Sequence, residues 1–260
     1  MYKTAIIFGD IHGRNIWKKI VEENPNAEYY IFLGDYFTSR ENIDVEEQIR
    51  NYEEILEFKK QNLDKVILLR GNHDLEALKQ YHWAECWPKF YSTYFRENDN
   101  AEIFLKYTQW CFEINNVVFS HAGISDTWFC NVQKTHPEVQ MFEDLNELEP
   151  TELFGFTPES YSDSAGYSKT QPLVWIRPFT LSDDMIGNTI YVVGHTRQPN
   201  DNIYQVSLNN VKQLEDDVET EFEFKYSGND AHIICCDTLP QRYLTLKFTD
   251  KVSIFKPVKI

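Results

Sequence analysis

Five short polar blocks hold most of the chemistry open to this chain: Gly9-Asp10-Ile11-His12-Gly13, Gly34-Asp35, Gly71-Asn72-His73-Asp74, Ser120-His121-Ala122-Gly123 and Gly194-His195-Thr196. Their candidate metal ligands are two carboxylates (Asp10, Asp35), one amide (Asn72) and three imidazoles (His12, His121, His195). A mixed oxygen and nitrogen set without thiolate suits manganese, iron or zinc, and does not suit an all-oxygen calcium or magnesium cage. Asp35 can bridge two cations. Ions roughly 3.5–4 Å apart clamp a phosphate and lower the pKa of a shared water, giving hydroxide near neutral pH. In-line attack on phosphorus then needs cationic groups on the equatorial oxygens. His73 follows Asn72 directly and is expected to face the leaving-group oxygen as general acid.

Each block sits directly after a β-branched or aromatic run that reads as a buried strand, at residues 4–8, 29–33, 66–69, 117–119 and 190–193. Such strands would bring sequence-distant ligands to one sheet edge, with Gly9 and Gly13 permitting close backbone approach. Residues 15–23 are expected to be helical, as are 44–61, where Val45, Ile49, Tyr52 and Leu56 recur at helical spacing over a mainly parallel sheet. The aromatic-rich stretch 75–109 reads as helices beside the active edge. Asn115-Asn116 reads as the tight turn of a hairpin, because asparagine tolerates positive φ. Residues 125–187, with Pro137, Pro150, Pro158, Pro172 and Pro178, form an irregular excursion. The segments 203–208, 222–226, 231–236, 243–248 and 252–255 are expected to build a second sheet stacked on the first. The reading is a single α/β domain over residues 1–260, with a helical aromatic insertion at 75–112 and the excursion at 125–187.

The chain has 260 residues, 42% of them hydrophobic, enough for one sizeable core. No window approaches the roughly 18 apolar residues of a membrane helix, and with a strand expected from near residue 4 no signal peptide is expected. Five scattered cysteines without framework spacing favour free thiols in a reducing compartment, so the expected location is cytoplasmic. A formal charge of −16 tells against a general nucleic-acid surface, although a nucleotide could still bind where metal ions supply positive charge. The acidic run 214–221 reads as a solvated rim.

The order of the blocks resembles the calcineurin-like metallophosphoesterases, specifically their phosphoprotein phosphatase branch. Leu69-Arg70-Gly71-Asn72-His73, Phe119-Ser120-His121-Ala122-Gly123, Val174-Trp175-Ile176-Arg177-Pro178 and Cys236-Asp237-Thr238 are similar to that branch, in order over about residues 4–248. The resemblance implies a four-layer α/β/β/α sandwich of two stacked mixed sheets flanked by helices. It implies Asp10, His12 and Asp35 on one divalent metal, with Asp35, Asn72, His121 and His195 on the other. Manganese is the expected ion, with iron or zinc as alternatives. It also implies His73 as proton donor and Arg177 as a phosphate contact. Arg70 is expected to brace the active edge through an ion pair.

Three positions depart from that pattern. Thr38 stands where an aspartate is expected to hydrogen-bond His73; its hydroxyl can orient the ring without supplying a full charge. Ser39 stands where a phosphate-binding arginine is expected, which makes Arg40, one residue later, a candidate phosphate contact. Asp74 replaces the usual glutamate and is taken with His73 and Thr38 into the catalytic group. The implied activity is hydrolysis of phosphomonoesters, including phosphoserine and phosphothreonine. A nucleotide or dinucleoside polyphosphate hydrolase is the alternative substrate reading. A metal-loaded but silent phosphate- or partner-binding module is the alternative of another class.

Overall fold

Strand β1 (Lys3–Phe8) shows why the apolar runs are continuous. Ala5 and Ile7 enter a core shared with Ile31, Leu33, Val117, Phe119 and Ile234, while Ile6 and Phe8 pack with Trp17, Ile20 and Tyr52. A strand buried on both faces has no polar side, so the period-2 signal disappears. The computed structural model describes residues 2–39, 41–78, 89–149, 165–198, 203–207, 210–213, 222–225 and 231–260.

The other strands are β2 (Tyr29–Phe32), β3 (Val66–Leu68), β4 (Cys111–Ile114), β5 (Val117–Ser120), β6 (Ile190–Val193), β7 (Tyr204–Ser207), β8 (Asn210–Gln213), β9 (Phe222–Lys225), β10 (His232–Cys235), β11 (Arg242–Thr249) and β12 (Val252–Lys259). Among the described residues they form two mixed sheets, ordered β3-β2-β1-β11-β12-β9 and β4-β5-β6-β10-β7-β8. The expected second sheet of late strands alone is corrected. β11, β12 and β9 extend the first sheet from β1, whereas β7, β8 and β10 join β5 and β6 in the second. The short strand β8 was not anticipated. The five strands that precede the polar blocks also divide between sheets, three in one and two in the other, so the blocks lie on two edges instead of one.

Three buried clusters define the layers. One lies between the sheets. A second packs α1 (Trp17–Glu23), α2 (Val45–Gln61) and the aromatic segment onto the first sheet, the latter through Tyr91, Phe95 and Phe104. After α3 (Asn72–Ala77), that segment contains α4 (Lys89–Tyr94) and α5 (Asn100–Tyr107). Its Tyr81, His82, Trp83 and Trp87 lie outside the described residues, as does the acidic run 214–221. The third cluster covers the second sheet with α6 (Asp126–Thr135), a 3₁₀ turn at Phe142–Glu147 and α7 (Pro178–Ser182). The described part of the proline-rich stretch is therefore the outer layer of the sandwich. In the β4–β5 hairpin Asn115 takes φ +58°, the conformation that asparagine tolerates. No helix among the described residues is long and apolar enough to cross a membrane.

Candidate metal centre and active site

The five blocks leave the carboxyl ends of β1, β2, β3, β5 and β6, the usual location of a ligand crevice in α/β sheets. Backbone strain gathers there. His12, Asp35, Thr38 and His195 all have positive φ, between 45° and 65°, although none is glycine. Such conformations persist where surrounding structure enforces them. The block glycines leave room for the neighbouring block's side chains. A Cβ on Gly194 would collide with Asp10 Oδ1, and one on Gly71 with Asp35 Oδ1.

Backbone carbonyls fix the ring hydrogens. Leu33 O and Trp175 O can only accept, so His121 Nδ1 donates to the first at 2.8 Å and His195 Nε2 to the second at 3.0 Å. Burial drives both imidazoles below their ordinary range, His121 to about 3 and His195 well down as well with help from Arg177, so both stay neutral. The remaining lone pairs, on His121 Nε2 and His195 Nδ1, point at Asn72 Oδ1 from 3.0 and 2.9 Å. No proton is left for these three atoms to share, and a cation among them satisfies all three. His12 repeats the pattern. Its Nδ1 donates to Phe37 O at 2.9 Å, and its Nε2 lies 3.9 Å from both Asp10 Oδ2 and Asp35 Oδ2.

Asp35 Oδ2 is central, 3.5 Å from His121 Nε2 and 3.8 Å from His73 Nε2. Asp10, Asp35 and His121 offer ligand atoms within 4.8 Å of one another. Burial, and then a neighbouring carboxylate, pushes both aspartates well above the usual range: Asp237 acts on Asp10, and Asp10 on Asp35. A divalent cation reverses that penalty. The residues present therefore fit a metal bound through oxygen and nitrogen.

His73 lies beside this group. Thr38 Oγ1 donates to Phe37 O at 2.6 Å, so it accepts from His73 Nδ1 at 2.7 Å and leaves Nε2 facing Asp35. Asp74, grouped with the catalytic residues from sequence, is fully buried behind the loops. Its carboxylate accepts from the backbone N–H of Asp35, Tyr36 and Gly71, each at 2.8 Å, and so pins the β2 loop to the start of α3. Burial pushes it up to about 7, with the three donors pulling the other way. Its position is that of a brace.

A cavity of about 560 Å³ opens over the group, lined in part by His73, Glu76, Trp175, Arg177, Arg197 and Arg14. Arg177 donates to Ala165 O and Thr196 Oγ1, at 3.1 Å each, from the position just before α7. Arg40 lies outside the described residues. Arg70 braces the edge as expected, but through neutral groups: it donates to Thr108 Oγ1, Thr108 O and Leu105 O and covers the Trp110 ring. Sequence reasoning missed Arg14, Glu41, Glu76 and Arg197. Only Arg14 and Arg197 carried a signal, through adjacency to the first and last blocks.

With sandwich and site in view, the class is that of a metallophosphoesterase fold. The profile of the calcineurin-like phosphoesterases matches residues 3–199, and the chain belongs to that family of enzymes hydrolysing phosphoester bonds. No curated protein matches it in sequence. Among solved structures, a metallophosphoesterase from Sphaerobacter thermophilus aligns with TM-score 0.52 and 10% identity over 98% of this chain and 88% of that one. A cold-active protein-tyrosine phosphatase of a psychrophilic Shewanella species aligns with TM-score 0.56 and 16% identity, over 100% and 81%. At these identities the likeness speaks to the fold alone.

Proposed function

We propose that the chain is a cytoplasmic, two-metal phosphomonoesterase whose substrates include phosphoserine and phosphothreonine esters. The observation carrying this reading is the convergence of the unprotonated His121 and His195 nitrogens on the Asn72 amide oxygen, next to the buried Asp35 carboxylate and with an oriented histidine beside them. Asp10, His12 and Asp35 would hold one ion, and Asp35, Asn72, His121 and His195 the other, manganese suiting this donor set. Bound divalent ions supply Lewis acidity to phosphoryl oxygens and lower the pKa of an adjacent water. Arg177 lines the cavity, which supports its role as a phosphate contact. His73 delivers a proton from Nε2 to the leaving oxygen while Thr38 holds the ring through Nδ1.

The test is turnover by manganese-reconstituted protein on p-nitrophenyl phosphate, phosphoserine peptides and dinucleoside polyphosphates side by side. Metal-dependent release from the first two supports the reading. A strong preference for the third moves the substrate to nucleotides, and no turnover with manganese, iron or zinc overturns the enzyme reading in favour of a binding module. His73→Ala is expected to lower kcat by roughly 10²–10⁴ with metal content intact.

A further inference from the structure

Arg14 has no role in the expected ligand set, yet the fold holds it firmly at the cavity wall. Its side chain is only 9% exposed. Nε donates to Glu41 Oε1 at 2.8 Å and Nη1 to the Asp10 carbonyl at 3.2 Å. Its backbone is fixed as well: Asn51 Nδ2 of α2 donates to Arg14 O at 3.1 Å, and Trp17 Nε1 fixes Asn51 from the other side at 3.0 Å. Two of five guanidinium N–H groups are thereby used. The residue lines the same cavity as His73 and Arg177.

Ser39 links this arrangement to the altered loop. Its hydroxyl accepts from the Glu41 N–H at 3.0 Å, while its own N–H donates to Gln48 Oε1 at 2.9 Å. The residue at the expected arginine position thus supports the acid that aims Arg14. Glu41 is 45% exposed at its side chain, so it steers the guanidinium without fully neutralising it in a dry site.

We propose that Arg14 is the second phosphate-contacting cation of this site, a planar donor that grips the phosphoryl oxygens together with Arg177, and that Ser39 and Glu41 are positioning residues for it. The inference rests on the phosphoester reading of the cavity. A planar fork matches two phosphate oxygens in a way a lysine ammonium does not.

The experiment compares wild type with Arg14→Lys, Arg14→Ala and Glu41→Gln, each metal-reconstituted and checked for metal content and Tm. Inorganic phosphate affinity is read by calorimetry, and kcat and KM are read with p-nitrophenyl phosphate. Removing a charge-assisted contact is expected to weaken phosphate binding by about 10–100-fold for both Arg14 variants, with KM rising in step, and by a smaller factor for Glu41→Gln. Unchanged phosphate affinity in a folded, metal-loaded Arg14→Lys variant overturns the proposal, as does an effect confined to Tm. If Arg14→Ala fails to fold, Arg14→Lys and Glu41→Gln carry the test. Weakened phosphate binding in a wild-type background that hydrolyses no ester would sink the enzymatic reading and leave Arg14 standing.

Discussion

Gly194→Ala tests the packing of the candidate centre most directly. Gly194 directly follows β6, and its Cα faces Asp10, so a methyl group there falls well inside contact distance of Asp10 Oδ1. The carboxylate has no inexpensive way to retreat. It is about 1% exposed and accepts from the His195 N–H at 2.9 and 3.1 Å. Relieving the clash needs a shift of roughly 1 Å, enough to break those hydrogen bonds and pull Asp10 away from His12. A hydrogen bond to a charged buried group contributes about 1.5–3 kcal/mol, and overpacking adds about 1 kcal/mol or more. Together these place the loss at about 3–4 kcal/mol, or very roughly 6–16 °C in Tm for a chain of this size. Metal analysis after manganese reconstitution should show loss of bound ion, and p-nitrophenyl phosphate turnover should fall with it. A Gly194→Ala protein that keeps wild-type metal content and Tm would refute the placement of Asp10 against β6.

Three further outcomes follow from the same geometry. Asp74→Ala strands the N–H groups of Asp35, Tyr36 and Gly71, which should lower stability by about 4 kcal/mol in urea unfolding; Asp74→Asn, keeping one acceptor, should lose less. Burial alone raises the Glu76 carboxyl from its ordinary value to about 7, so its folded form keeps a proton that the unfolded chain has released. Metal-free protein should therefore lose stability as pH climbs from about 4.5 through 7, by about 2 kcal/mol after discounting for solvent contact, and Glu76→Gln should remove that slope in pH-resolved urea titrations. Thr38→Val deletes the hydroxyl that holds His73 Nδ1 and should cut kcat about 2–10-fold, more for alkyl phosphates than for p-nitrophenyl phosphate, whereas Thr38→Asp should raise it.

The strands and the ligand types were legible because both are encoded locally. Residues 190–193 read as a strand from their apolar run, and β6 spans those residues. What was not legible was where the late strands would pair. The runs at 222–226 and 243–248 carry the same period-2 signal whichever sheet they join. That choice is made by long-range partners, such as the antiparallel register of Ile6 with Thr245. The same limit applies within the site. His121 and His195 could be named from their blocks, but the carbonyls of Leu33 and Trp175 that set their tautomers depend on the path of loops distant in sequence.

The division of the strands that precede the polar blocks between two sheets bears on why strain is tolerated here. A centre built on one edge could relax by fraying a single loop. Asp10 is instead bound to the β6 end through His195 N, and Asp35 to the α3 start through His73 N at 2.9 Å. Each carboxylate is thus held by the backbone of a different block. Releasing the positive φ of Asp35 would break contact with α3, and releasing that of His195 would break contact with β1. Reciprocal restraint of this kind keeps sparsely populated conformations in place. The candidate ligand atoms then owe their convergence to the interlocked backbone that carries them.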